Sequence, residues 1–317
     1  MKRVAVVGAG NWGKNLVRTF HALNALEGVA EPSEILQGGL RETYPDLRFY
    51  TFEDLLNSDV DALAIATPAS THFDFAKRAL EAGKDVFVEK PLTLTVADAE
   101  RLVELTESTG RTLMVGHLLL YQPAIGWIKD YLASGEAGEV WHVATRRAKL
   151  GRVRNEENVW WSFAPHDISV VLHLLGNPEL KGVSAHGHKM LPSGVEDNVH
   201  VSLDFASGQS AQLHSSWYWP ENERKTVVLT QKKMIVYDEL AQTVEVFDKT
   251  VDETLQHYDK GSFVAEVADA EPLRLECQHF LDCLATGRRP LSDVHNGLAV
   301  VRVLEQAQKL LDEAHDA

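Results

Sequence analysis

Cysteine is almost absent from this chain: Cys277 and Cys283 are the only two among 317 residues. They lie six apart in a segment with helical spacing. At about 3.6 residues per turn they fall on different faces, so no internal disulfide is expected. A disulfide-stapled secreted scaffold is thereby disfavoured, and a reducing, cytoplasmic address is expected. The chain also lacks any apolar run near the roughly 18 residues needed to cross a bilayer. At its N-terminus Lys2 and Arg3 lead straight into a short apolar run and then glycines, unlike a signal peptide. Positive charge is scarce too. Against 46 Asp and Glu there are 31 Lys and Arg, a formal charge of −15. Such a chain repels nucleic-acid phosphates and anionic membranes, so neither is an expected partner.

What is present suffices for a core. Hydrophobic residues make up 44%, and a chain of this length is expected to split into two domains. The first hundred residues alternate strand and helix. Val4-Ala5-Val6-Val7, Ala62-Leu63-Ala64-Ile65-Ala66, Val86-Phe87-Val88 and Leu113-Met114-Val115-Gly116 are short apolar runs without polar alternation, as buried parallel strands are. A weaker strand is expected near Leu26 to Ala30. Between them, Trp12, Leu16, Phe20 and Leu23 recur at helical spacing, and a helix from His72 to Ala82 ends at Gly83. Repeated units of this kind predict an α/β, doubly wound parallel sheet over residues 1–118.

Beyond residue 118 the pattern changes. After a helix from Pro123 to Ser134, strand-like segments with polar alternation run over Val140–Arg146, His200–Phe205, Ser210–Trp217, Thr226–Thr230 and Lys233–Tyr237. Residues 119–317 therefore read as an α+β domain with an open, mostly antiparallel sheet flanked by helices. Its free face is available to a second subunit, so a homodimer or homotetramer is expected. Helices over Leu273–Ala285 and Asn296–Glu313 close the chain.

The most informative local motif is Gly8-Ala9-Gly10-Asn11-Trp12-Gly13, which follows a strand and opens a helix. In that context the first glycine makes the tight turn. The second admits a pyrophosphate, and the third lets helix and strand approach. Free amides at the helix start bind phosphate. Glu31 lies eighteen residues beyond Gly13, where a carboxylate can accept from both ribose hydroxyls. Pro32, Ser33 and Glu34 follow it, with no arginine to hold a 2′-phosphate. The expected cofactor is NAD.

Two more motifs stand at strand ends: Ala66-Thr67-Pro68-Ala69-Ser70-Thr71-His72 and Val88-Glu89-Lys90-Pro91-Leu92. With the glycine turn, Gly116-His117, Tyr121 and Pro123, they resemble the glucose–fructose oxidoreductase, inositol dehydrogenase and rhizopine-catabolism (Gfo/Idh/MocA) family. The resemblance implies a Rossmann domain followed by a domain with an open antiparallel sheet. It also implies cofactor contacts at Thr67, Pro68, Thr71, His72, Glu89 and Lys90, beside those of the glycine turn and Glu31. The stretch Trp160-Trp161-Ser162-Phe163-Ala164-Pro165-His166-Asp167 resembles the family's catalytic-histidine segment, with Ser162 where many members have aspartate. An Asp–His mechanism at those positions is thereby put in doubt.

Oxidising a secondary alcohol takes a base for the hydroxyl proton and a group that stabilises the developing alkoxide, while hydride passes to the nicotinamide. Lys90, at a strand end, is the expected alkoxide stabiliser. His166, read as following Pro165 at the start of a helix, is the expected base, kept neutral by the helix dipole. The chain is thus expected to be an NAD-dependent oxidoreductase acting on a pyranose hydroxyl. The basic run Arg146, Arg147, Lys149, Arg152 and Arg154 reads equally as a solvated strand and loop or as a holder for a sugar carboxylate or nucleotide diphosphate. Around it the sequence is similar to family members that oxidise C3 of UDP-linked N-acetyl-hexuronates. A nucleotide-linked sugar contacted by Lys90, Tyr121, Arg147, Asn158 and His166 is the leading expectation. A free polyol or aldose dehydrogenase and a non-catalytic NAD-binding sensor or scaffold stay open. No metal site is expected, since His186 and His188 have no acidic or cysteine partner in a known spacing.

Overall fold

The computed structural model describes residues 2–316. It divides into two compact units, Met1–Leu118 with Glu271–Arg302 and Leu119–Ala270 with Val303–Ala317. No helix among the described residues is long and apolar enough to cross a membrane.

In the first unit β1 (Val4–Val7), β2 (Leu26–Ala30), β3 (Phe49–Tyr50), β4 (Ala62–Ile65), β5 (Asp85–Glu89) and β6 (Leu113–Gly116) form one parallel sheet, ordered β3-β2-β1-β4-β5-β6. Helices α1 (Gly13–Ala22), α2 (Glu34–Thr43), α3 (Phe52–Leu56), α4 (His72–Glu81) and α5 (Val96–Thr109) connect the strands. This is the Rossmann, doubly wound arrangement. Strands β1, β4, β5 and β6 are buried along their whole length, which explains runs without polar alternation. Helix α1 stops earlier than its apolar spacing suggests, because Asn24 takes a left-handed backbone (φ 54°) and turns the chain into β2. One face of the sheet buries Val86, Val88 and Val115 against Ala76 and Leu80 of α4 and Leu102 of α5.

The second unit opens with α6 (Pro123–Ala133) and β7 (Val140–Ala148), followed by α7 (Val159–Leu175). Seven further strands follow: β8 (Leu180–His188), β9 (Asn198–Phe205), β10 (Ser210–Ser216), β11 (Glu223–Thr230), β12 (Met234–Asp238), β13 (Thr243–Val251) and β14 (His257–Val264). The eight strands are ordered β14-β13-β12-β11-β7-β10-β9-β8, with every pair antiparallel except β7 with β10. Helix α7 packs on β7, β9 and β10. The opposite face carries, in one cross-strand row, His186, His200, His214, Arg146 and Lys225.

Helix α7 corrects the sequence reading. It begins at Val159, capped by the Asn158 side chain accepting from the Trp161 amide at 3.1 Å, so Pro165 is interior and His166 lies in mid-helix. A neutral imidazole at a helix start is therefore not the geometry here. The last helices, α8 (Pro272–Thr286) and α9 (Val294–Asp316), agree closely with expectation in extent. Their packing is less simple. Residues 271–302, read from sequence as part of the second domain, pack within the first unit. There α8 lies on the sheet face opposite α4 and α5: the Phe280 ring meets Phe87 of β5 at 5.7 Å between centroids, and Phe87 in turn meets Phe20 of α1 at 6.5 Å.

Candidate active site

The glycine turn ends β1 and enters α1. Gly8 has φ +86°, and a Cβ there would sit 3.0 Å from the Ala66 carbonyl oxygen. A Cβ on Gly13 would run into the Gly8 carbonyl. Both glycines are demanded by the protein's own backbone. Gly10 is different, because a Cβ there meets no protein atom within 4 Å. Its open surface is what a phosphate group approaching the turn requires. Asn11 is exposed on the same turn. At the end of β2 the Glu31 carboxylate accepts from the Ala9 amide at 2.7 Å and the Ser33 amide at 2.9 Å. Each oxygen keeps a further lone pair for a ribose hydroxyl. These residues fit NAD: amides and open glycine for the pyrophosphate, an anchored carboxylate for the ribose.

Trp12 links this turn to the neighbouring motif. Its Nε1 donates to Glu89 Oε1 at the end of β5. The other Glu89 oxygen accepts from the Lys90 amide at 3.3 Å. Glu89 is buried, and burial pushes its carboxyl up to about 7, against the pull of Trp12 and Lys90. Gly116, at the end of β6, leaves the space this carboxyl occupies: a Cβ there would stand 2.9 Å from Glu89 Oε2. Lys90 follows immediately, half-buried.

The motif after β4 braces this arrangement. Thr71 Oγ1 donates within a bracket that includes Thr67 Oγ1 and the Pro68 carbonyl, both at 2.7 Å. His72 is buried, with Nδ1 2.8 Å from the Pro91 carbonyl and Nε2 2.9 Å from that of Thr67. Its ring is committed to joining the two motif loops, and burial, with help from Lys90, lowers its pKa. Next to β6, His117 is wholly buried, with Nδ1 2.7 Å from Asn296 Oδ1. Burial, opposed by Asn296 and aided by Lys90, depresses it to about 4. It is therefore a neutral ring within the field of Lys90. In the sequence Gly116-His117 is legible only as a family likeness, which gives His117 no role.

The remaining expected residues belong to the second unit. His166 is half-buried on α7, and Ser162 lies one turn earlier on the same helical face. An aspartate there would reach the ring, whereas serine brings no charge. Asp167 faces Arg147 instead. The Arg147 Nε and Nη2 donate to the two Asp167 oxygens at 3.0 and 3.1 Å, and Nη2 also reaches Glu239 at 2.8 Å. Asn158 is buried as the α7 cap, and its Nδ2 donates to Glu196 at 2.7 Å and Gln308 at 2.8 Å. Tyr121 is buried. Trp160 is core, with Nε1 donating to the Leu304 carbonyl at 3.1 Å. Of the basic run, Arg146 pairs with Glu223 at 3.2 Å and Arg154 with Glu157. Lys149 lies 5.9 Å from the centre of the Phe163 ring of α7. Lys90 and His166 thus stand in different units.

Residues 2–117 match the oxidoreductase family with an NAD-binding Rossmann fold (Gfo/Idh/MocA), and residues 126–236 match the Gfo/Idh/MocA C-terminal domain. Among characterised relatives, the NAD-dependent scyllo-inositol 2-dehydrogenase of Bacillus subtilis is 28% identical, covering 91% of this chain and 88% of its own. The UDP-N-acetylglucosamine 3-dehydrogenase of Acidithiobacillus ferrooxidans is 26% identical over 96% and 95% of the two chains. A solved structure of that Acidithiobacillus enzyme superposes with a TM-score of 0.88 at 24% identity, covering 98% of this chain and 97% of the other, and shows the shared fold. With both family domains matched over most of its length, the chain belongs to the Gfo/Idh/MocA family of NAD-dependent oxidoreductases.

Proposed function

We propose that this oxidoreductase acts on a secondary hydroxyl of a nucleotide-linked pyranose. The observation that carries the reading is the Trp12–Glu89 hydrogen bond, which ties the phosphate turn to the strand end bearing Lys90. The nicotinamide, when bound, supplies the hydride acceptor. Glu31 and the amides of the glycine turn hold the cofactor's ribose and phosphates. Lys90 hydrogen-bonds the reacting oxygen and offsets its negative charge as the hydroxyl proton leaves. His166 takes that proton, as a half-buried ring with no carboxylate at position 162 to hold it as imidazolium.

For the substrate's anionic part we assign Lys149 and Arg152, and keep Tyr121 as a further substrate contact. Neither cation has an ion pair among the described residues, whereas Arg147 is saturated by two carboxylates and Asn158 by its capping role. A diphosphate or uronate suits two such cations. The similarity to the Acidithiobacillus UDP-sugar enzyme over nearly the whole chain supports this choice. The Bacillus inositol dehydrogenase favours a second reading, a free polyol or aldose. We also place the protein in the cytoplasm, where its two free thiols stay reduced. As a homodimer or homotetramer it would use the face of the eight-stranded sheet away from α7.

A panel of UDP-sugars, UDP-uronates, inositols and aldoses, followed by NADH absorbance, separates these readings. Turnover of UDP-sugars, reduced about a hundredfold or more by Lys90→Met and with KM raised by Lys149→Met, is the expected result. Turnover of inositols alone transfers the assignment to polyols. Bound NAD with no turnover of any sugar supports a sensor or scaffold instead.

A further inference from the structure

Glu276 lies on α8 with no exposed surface, and neither carboxyl oxygen has a hydrogen-bond partner among the described residues. Other buried acids of the chain have at least one partner: Glu31 two amides, Asp85 the Thr112 amide at 2.7 Å, Asp167 the Arg147 guanidinium, and Asp197 the Leu191 amide at 2.6 Å on one of its oxygens. An ionised carboxylate without a partner is too costly at such a position, so Glu276 is protonated. Even neutral, it costs stability relative to an apolar side chain of its size. A buried, unsatisfied acid of this kind calls for a reason.

Its place in the fold supplies one. Phe280, one turn further along α8, stacks edge-on against Phe87 of β5. Glu276 shares the helical face of Phe280, and Glu89 shares the strand face of Phe87. One step beyond the Phe–Phe contact, the two carboxyls therefore face each other between α8 and β5. Glu89 is not free to turn away. Trp12 Nε1 and the Lys90 amide hold its two oxygens, and the Gly116 backbone lies against one of them. Glu276 has no such tether. A side-chain rotation, or one bridging water, brings its O–H to a Glu89 oxygen.

We propose that Glu276 is a positioning residue, a protonated carboxyl that donates to Glu89, and that this pair sets by one proton the charge the oxidised nicotinamide meets beside Lys90. The inference rests on the reading that Lys90 lines the nicotinamide site. Burial is the main force raising both carboxyls, with Glu89 losing its proton first near pH 7 and its charge then holding Glu276 well above the usual range. The other groups acting on the pair are few. Lys90 opposes the rise at Glu89, and Cys277 is itself raised, by burial and by Glu276, Glu89 and Glu271. From α1, Arg18 pairs with Glu271 at 2.9 Å, and His117 beside β6 stays neutral. Below the transition the pair is neutral and brings no negative charge to the neighbourhood of Lys90. Above it, one negative charge favours the cationic oxidised ring, while the uncharged reduced ring is indifferent.

Cofactor binding to the full chain, measured by calorimetry between pH 6 and pH 8, tests this directly. NAD+ affinity is expected to rise about fivefold or more across that range and NADH affinity to stay within about twofold, a coupling of ordinary size. Glu276→Met fills the same space without a donor and is expected to move the NAD+ transition up by about one pH unit, the scale of one hydrogen bond to a charged group. Glu276→Gln keeps a donor and is expected to restore the wild-type position. NAD+ affinity flat with pH in the wild type, or a transition that Glu276→Met leaves in place, overturns the proposal. Should the Met variant fail to fold, the wild-type and Gln profiles still decide. Failure here, with turnover still reduced about a hundredfold or more by Lys90→Met, leaves the assignment of Lys90 intact.

Discussion

Arg147 is the residue whose surroundings most change what its chemistry suggests. A guanidinium in a basic run looks available to an anionic substrate, yet this one is buried and its donors are directed at Asp167 and Glu239. Arg224 completes the cluster, donating to Glu239 at 3.0 Å. Burial pulls the Arg147 pKa down, but the two carboxylates more than offset it and hold the group charged. Since Asp167 adjoins His166, the cluster fixes the turn of α7 that carries the imidazole. Arg147→Met leaves Asp167 buried without its cation, while Glu239 keeps Arg224. It is expected to destabilise the protein by about 3–5 kcal/mol in urea unfolding, with substrate KM little changed in the fraction that folds. Unchanged stability with a raised KM would return Arg147 to the substrate.

At the scale of elements, α7 repeats the lesson. Its interior proline has no N–H for the Trp161 carbonyl and crowds the preceding turn, one residue before His166. Pro165→Ala is expected to raise stability by about 1–3 kcal/mol and to lower kcat, because the turn bearing His166 relaxes. Thermal unfolding and steady-state rates check both halves, and no change in either would mean that the helix is already relaxed around the proline. From sequence, Pro165 looked like a helix start, since proline favours the first turn and the true cap, Asn158, sits amid charged and polar residues. Strands β1, β4, β5 and β6 were legible because burial on both faces leaves mostly apolar residues, whereas the two-residue, half-buried β3 was not. Strand β14 was not, for all its residues are exposed and no alternation survives. Nor were α2 and α5, whose buried residues are few beside their charged ones. The phosphate turn, Glu31 and Lys90 were readable as motifs, whereas Glu276, among Arg274, Gln278 and His279, reads as part of a solvated helix face. Sequence order also conceals that α8 packs with the first sheet rather than the second.

For the whole molecule, two sets of buried groups titrate in opposite senses, and their balance sets the pH of greatest stability. Burial depresses His117, His173 and His214 from 6.5 to about 4. Between those values the unfolded chain binds protons that the native state refuses, so stability rises with pH. Burial moves Glu89 the other way, from 4.5 to about 7, and Glu276 further still. There the native state keeps protons that the unfolded chain has released, so stability falls as pH rises. From pH 4.5 to 6.5 three histidines oppose two acids and stability climbs, although His173 and His214 retain some solvent contact and contribute less than His117. Above 6.5 the histidines are neutral in both states and only the acids act. The melting temperature is therefore expected to peak near pH 6.5 and to decline on the alkaline side. Glu276→Met removes the acid whose native pKa lies highest, so it is expected to flatten the alkaline decline and, with one acid fewer opposing the histidines, to steepen the rise on the acid side. Calorimetric scans of both proteins from pH 4 to 9 decide the point, since a wild-type maximum above pH 8 would mean that the buried acids are not held protonated in the native state.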